Sequence, residues 1–328
     1  MITTEFAIVP PDFEGENWIP PEHRDIAQMR LTNEYHEEIG QWTDLAFAVD
    51  EPERVLDYEA ELAVHGKLMP RPYQFSGSCV GVSWWRAYCN AIIGDILYRG
   101  DVEDVKLPFA FATYGVGRQL GGMRGKGEGS YGSAQARAGQ EFGTLAIDHP
   151  GLPTPTITSK GWVKYSKSIE LQWSFPTGWP IPREQLQPEA IKHKIGTATR
   201  LRSSADVVQA KAQGYGVTAA SSFGTRGAKV TEGVLLAKWD GSWAHQMSIA
   251  GYWKHPELGL IFPWDNQWDD TMGTCPELSK LNVNGSFWTR ADVVDRVCQS
   301  GEVYAHTATG GFELKTIDWK NLGITYEN

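Results

Sequence analysis

The chain has 328 residues, 41% of them hydrophobic and 21% charged, with a formal net charge of -10. That length suffices for one large domain or two lobes with a sizeable core. The acidic balance leaves no basic excess to neutralise phosphates, which excludes a dedicated nucleic-acid binder, and no apolar stretch approaches the ~18 residues of a membrane span. Four cysteines, Cys79, Cys89, Cys275 and Cys298, are too few for a disulfide framework. The opening MITTEFAIVPPDFEGENW has no basic region followed by an apolar one, so synthesis in a reducing cytoplasm is the expectation. The 14 tryptophans read first as core or interface residues, ahead of a stacking surface for sugars or bases.

In chain order, residues 1 to about 25 read as extended, broken at Pro10-Pro11 and Pro20-Pro21. Residues 33–63 look partly helical. The turn-rich MPRPYQFSGS (69–78) leads to Cys79. From Val80 to Leu97 the pattern is helical, with Val80, Trp84, Tyr88 and Ile92 four residues apart and Trp85, Cys89 and Ile93 beside them. FAFATYGVGRQL (109–120) reads as a second helix. The glycine-dense GGMRGKGEGSYG (121–132) reads as a flexible or substrate-lining loop, and SAQARAGQEFG (133–143) as a helix stopped by Gly143. Residues 157–173 alternate like a strand, and the Pro-rich 176–188 reads as loop. GVTAASSFGT, EGVLLAKWD, HQMSIAGYW and LGLIFPWDN are short apolar runs between turn signals, and ADVVDRVCQSG (291–301) is a late helix. No internal repeat is seen. Helices first and strands second suggest an α+β protein with segregated lobes.

One combination carries chemistry. A nucleophilic thiol needs its pKa lowered from about 8.5. A helix N-terminus offers unpaired N–H groups and the positive dipole end. A histidine can hold the proton, and a third group must orient it. Cys79 opens a helix after Gly77-Ser78, His245 heads an apolar strand, and Asn266 follows on the next strand or its loop, between Trp264 and Trp268. Neighbouring strands can bring such a pair together, and the tryptophans can shield the bond from water.

These residues resemble the papain-like cysteine peptidase family, including its phage and bacterial members. Gly-Ser-Cys before an apolar helix, with Gln74 upstream, looks like the family's nucleophile segment. HQMSIAGY is similar to its histidine strand, Asn266-Gln267-Trp268 to its Asn-Ser-Trp segment, and EGSYGSAQARAGQEFG to the approach to its last lobe helix. The resemblance covers roughly 70–315 and implies a two-lobed α+β fold, a helical lobe followed by an antiparallel β-lobe. It implies Cys79 as nucleophile, His245 as general base and acid, Asn266 as orienting group and Gln74 as oxyanion donor with the Cys79 N–H. Gly77, Ser78 and Trp268 would line the substrate site. Gln74 stands five residues before Cys79, where the family has six, and Ser76 stands where many secreted members carry a disulfide cysteine.

The resulting division is an N-terminal arm or pro-segment-like extension (1–70), a helical lobe with the nucleophile helix (71–150) and a β-rich lobe with the histidine and asparagine (151–328). The first 70 residues have two readings: a pro-segment crossing the cleft, or an acidic, Pro-broken arm docking onto neighbours, which the composition favours slightly. No cofactor is expected. The remaining histidines lack metal-ligand spacing, and grouping His255 with Asp265, Asp269, Asp270 and Cys275 finds no HxxxH or CxxC support. GGMRGKGEGS lacks the GK[ST] of a phosphate loop. The functional expectation is a thiol hydrolase acting on a peptide or protein substrate. The alternative is a papain-like virion protein, structural or connector, with reduced or lost catalysis and other virion proteins as partners. A virion-borne hydrolase combines the two.

Overall fold

In the computed structural model the described residues are 5–7, 17–39, 51–100, 104–268 and 285–308. The helices are α1 (Ile26–Ile39), α2 (Asp57–His65), α3 (Cys79–Gly94), α4 (Ala110–Leu120), α5 (Gly132–Glu141), α6 (Lys167–Trp173), α7 (Arg183–Ala190), α8 (Ser204–Ala212) and α9 (Ala291–Ser300). The strands are β1 (Glu5–Ala7), β2 (Arg54–Leu56), β3 (Arg71–Pro72), β4 (Thr156–Ile157), β5 (Trp162–Lys164), β6 (Ile195–Arg200), β7 (Gly216–Gly224), β8 (Gly227–Thr231), β9 (Val234–Ala237), β10 (Gly241–Ile249), β11 (Gly251–His255), β12 (Gly259–Asp265), β13 (Ser286–Arg290) and β14 (Glu302–Ala308). Among the described residues the main sheet runs β1-β8-β9-β13-β12-β10-β7-β14-β6, with β11 pairing to β12 and β2.

The α+β class with a helical part and a β-rich part is what the chain adopts. Each part has its own core. Trp85, Phe109, Phe111 and Trp173 build the helical one. Phe223, Ile249, Trp264 and Trp288 build that of the sheet. α3 joins them. All 16 of its residues are buried, so it is packed on every side as a central helix must be, and its polar Ser83, Arg86 and Asn90 find buried partners. It lies so close to β7 that a Cβ at Gly216 would sit 1.8 Å from the Ala87 carbonyl oxygen. A third cluster, with Trp18, Cys79, Val80, Tyr114 and Ala220, includes the start of α3.

Three expectations change. Residues 157–173 are not one strand. β5 ends at Lys164, and Ser166 then caps α6, its side chain accepting from the Ile169 N–H. The Pro-rich stretch 176–188 is not all loop, because α7 starts at Arg183 once Pro182 has set its N-cap. The segregation of helices before strands is also incomplete. β1 and β2 precede every helix of the first lobe's core and pair into the sheet, with β1 on β8 and β2 on β11. α6, α7 and α8 fall in the second half.

Candidate active site

Cys79 is the first residue of α3 and fully buried. Burial pushes its thiol up to about 12, against the pull of the backbone N–H groups of Gln246, Val80 and Cys79 itself. The pull of the Gln246 amide on the thiol puts the sulfur near the residue that follows His245. The Gln246 side chain ties the same strand to α3, donating to the Ser83 hydroxyl at 2.8 Å and the Val80 carbonyl at 3.3 Å.

His245 lies on β10, paired opposite Ser221 of β7, and is 1% exposed. Asn266 follows directly on β12, which is antiparallel to β10. The His245 Nε2 to Asn266 Oδ1 distance is 2.9 Å. That same Oδ1 accepts the Gln267 N–H at 2.8 Å, which fixes it as the acceptor. Nε2 therefore carries the proton, and Nδ1 presents its lone pair. Nδ1 is buried and has no hydrogen-bond partner. Burial lowers this imidazole to about 4, against the upward effect of Asn266. Thiol and imidazole are both neutral in this closed arrangement.

Trp268 stacks on His245, ring centroids 4.4 Å apart at 26°, and shields its bond to Asn266. Its indole N–H donates to Gln74 Oε1 at 3.3 Å. Gln74 Nε2 in turn donates to the Ser76 carbonyl at 2.6 Å and to Asn17 Oδ1 at 3.2 Å. Gln74, His245, Asn266 and Trp268 are thus brought to one place, and Cys79 lies beside the strand that carries His245. Gly77 and Ser78 are buried in the turn below. The Gly77 N–H donates to Glu128, its carbonyl accepts from the Tyr114 hydroxyl, and the Ser78 hydroxyl donates to Glu170. The glycine-dense loop closes onto this turn, its Gly129 N–H donating to the Gly77 carbonyl at 2.9 Å.

Asp265, next to Asn266, is held by Tyr58 at 2.6 Å, Ser286 at 3.0 Å and Arg86 of α3 at 3.1 Å. Arg86 also pairs with Glu61 of α2. This buried network links the nucleophile helix to the strand that carries Asn266.

Residues 17–19 cross between the two parts of the fold. The Trp18 N–H donates to the Ala244 carbonyl at 3.0 Å, beside His245. The Ile19 N–H donates to the Ser130 carbonyl at 2.8 Å, and the Ser130 N–H to the Asn17 carbonyl at 3.3 Å, in a parallel bridge. The Trp18 indole donates to Glu302 at 3.0 Å, and Arg24 pairs with the same carboxylate. With Asn17 on Gln74, this strap lies against the residues around His245 and Gln74.

Sequence reasoning missed Asn17, Trp18 and Glu170 as parts of the site. His255, once grouped with possible ligands, accepts the Glu257 and Leu258 N–H groups and packs on Trp253. Among the described residues no group of three His, Cys, Asp or Glu side chains is placed to hold a metal ion. Asp269, Asp270 and Cys275 lie outside the described residues. No helix among the described residues is long and apolar enough to cross a membrane. A cavity of about 1130 Å³ opens elsewhere, lined in part by Arg226, Lys238, Trp239, Arg290 and Arg296, and none of the site residues borders it.

No family model and no curated protein matches the chain. Solved structures do. Xylellain, a cysteine protease from Xylella fastidiosa, aligns with a TM-score of 0.53 at 12% identity, over 92% of this chain and 95% of that one. The fold is papain-like. ProCathepsin B S9 from Trypanosoma congolense gives a TM-score of 0.48 at 13% identity, over 93% of this chain and 87% of that one.

Proposed function

We propose that the chain is a papain-like thiol hydrolase of peptide or amide bonds, with its cleft covered by its own N-terminal segment. The observation that carries this reading is the pairing of His245 with Asn266. Asn266 Oδ1 lies 2.9 Å from His245 Nε2 and leaves the buried Nδ1 without a partner, on the strand whose next backbone amide acts on the Cys79 thiol.

In the proposed reaction Nδ1 takes the thiol proton and the sulfur attacks the scissile carbonyl carbon. The oxyanion accepts hydrogen bonds from Gln74 Nε2 and the Cys79 N–H. Collapse breaks the C–N bond, and the Nδ1 proton goes to the leaving amine. Water, deprotonated by Nδ1, then attacks the thioester and releases the acid and the thiol. Desolvation disfavours the charged pair while the strap is in place, so the resting chain is inactive.

In this reading residues 1–70 are a pro-segment-like extension, 71–150 the helical lobe and 151–328 the β-rich lobe, except that Trp173, Trp179 and Leu186 of the last segment pack into the helical core. Asn17 supports it, because its carboxamide oxygen takes the donor meant for the oxyanion. A closed site with a neutral thiol also fits a second reading: a papain-like module serving as a structural or connector part of a larger assembly, such as a virion.

The test is cleavage of a denatured polypeptide by the full chain, with a brief treatment that nicks the N-terminal segment as a second arm. Cleavage lost in both Cys79→Ser and His245→Ala supports the hydrolase. Cleavage that persists in Cys79→Ser, or a nicked and folded chain that never cleaves, overturns it and favours the structural module.

A further inference from the structure

We propose that Glu170 is a positioning residue for the reaction at Cys79, gathering the turn from Gln74 to Ser78 so that oxyanion donor and nucleophile stay in register. The inference rests on the thiol-hydrolase reading above.

Glu170 lies on α6, outside the nucleophile segment, and its side chain is completely buried. Its carboxylate takes three donors from one short turn. The Phe75 N–H reaches Oε1 at 3.0 Å. The Ser76 and Ser78 hydroxyls reach Oε2 at 2.6 and 2.9 Å. Each grip matters to a functional atom. Ser76 offers its carbonyl to Gln74 Nε2 at 2.6 Å, so fixing Ser76 fixes the oxyanion donor. Ser78 offers its carbonyl to the Gly81 and Val82 N–H groups at 2.9 and 3.1 Å, the first bonds of the helix that Cys79 opens. Glu170 stands at Ser76, so a hydrogen-bonded clasp holds the turn where many secreted members of the resembled family have a disulfide cysteine.

The partners the structure gives this carboxylate are uncharged donors. Burial pushes Glu170 up to about 7, against the hydrogen bonds from Ser76, Phe75 and Ser78. Charged groups on the surrounding elements have partners of their own. Lys167, on the same helix, pairs at 3.1 Å with Glu128, which itself accepts the Gly77 N–H. Arg118 of α4 donates to the Glu128 and Gly129 carbonyls. Cys79 of α3 is a neutral thiol here. An ionised carboxylate is acceptor-only and satisfies all three donors. A protonated one carries an O–H, and one serine hydroxyl must then turn to accept it. The clasp is complete only when Glu170 is ionised.

The test is the pH profile of Cys79 alkylation by iodoacetamide in full-length Trp18→Ala, in which the N-terminal strap is loosened from the thiol, mapped by mass spectrometry, with thermal unfolding in parallel. That chain should show a step in rate near pH 7 apart from the rise of the thiol itself, and each further substitution is made in it. Glu170→Gln sets an NH₂ group against the donors; the step should vanish and the rate at pH 8 fall about tenfold, the scale of one lost hydrogen bond. Glu170→Asp should restore part of the step. A purely structural role would lower the melting temperature and leave the profile's shape intact, and that result overturns the proposal. Should Glu170→Gln not fold, Ser76→Ala replaces it: a flattened step supports the proposal and an unchanged one overturns it. His245→Ala separates the two levels. If it slows alkylation while folded Glu170→Gln does not, this inference alone fails; if His245→Ala has no effect, the hydrolase reading fails.

Discussion

Trp18→Ala should unlock the thiol. Trp18 is 1% exposed and is anchored by its indole on Glu302 and its backbone on Ala244. Truncating a buried tryptophan costs about 3–5 kcal/mol. The damage should stay local, because Glu302 keeps Arg24 and the Gly132 and Ser133 N–H groups, both at 3.1 Å. If most of the loss falls on strap docking, the open population rises roughly 10²- to 10³-fold, at a factor of ten per ~1.4 kcal/mol. The assay is the alkylation rate at Cys79, read by peptide mapping, with Cys89 and Cys298 as internal controls. Both controls are buried in the two cores, away from the strap. The expected result is acceleration at Cys79 alone. Equal acceleration at all three would mean global loosening. No acceleration in a folded variant would refute the strap as the cover of the site.

Other outcomes follow from the same contacts. Asn266→Ala leaves the His245 Nε2 proton buried without its acceptor, a cost of about 1–3 kcal/mol; turnover of a peptide amide should fall roughly tenfold to a hundredfold, more in kcat than in KM. Arg86→Met strands Glu61 and leaves Asp265 with Arg71 at 3.5 Å as its remaining cation, and should cost about 3–5 kcal/mol in urea unfolding. Gly216→Ala drives a methyl into the Ala87 carbonyl and should cost at least ~1–3 kcal/mol, read as a lower melting temperature. At Glu302, burial raises the carboxyl, but Arg24 and Trp18 outweigh it and hold it down at about 2. A depressed carboxylate stabilises the fold above its ordinary value of 4.5 and loses that contribution as pH falls through about 2. Intrinsic-rate-corrected hydrogen exchange should therefore show protection at Trp18 and Ile19 falling across that window, and Glu302→Gln should remove the dependence.

What could be read from the sequence was local. α3 announced itself because its large apolar residues recur every four positions, and the turn before it delivers Cys79. His245 and Asn266 were legible because each sits at an apolar strand bounded by turn residues. The strap was not, because Asn17 and Trp18 find their partners at Gln74, Ala244 and Glu302, and no local pattern encodes such distant pairing. Glu170 was hidden for a different reason. Residues 157–173 alternate as a strand would, and the seven-residue α6 is too short to show a helical period; Ser166 as its N-cap was the available signal. α8 was overlooked although Ser203 and Asp206 form a capping box, a three-residue spacing that the sequence carries openly.

The most direct test of the account is to look for the acyl-enzyme. Full-length Trp18→Ala would be mixed with a peptide p-nitrophenyl ester, quenched in acid within milliseconds to seconds, and examined by intact-mass and peptide-mapping mass spectrometry. The account predicts a burst of nitrophenol matched by an acyl adduct on Cys79, absent in Cys79→Ser and slow to form in His245→Ala. Nitrophenol release without an adduct on Cys79, or an adduct that forms equally fast without His245, would contradict it.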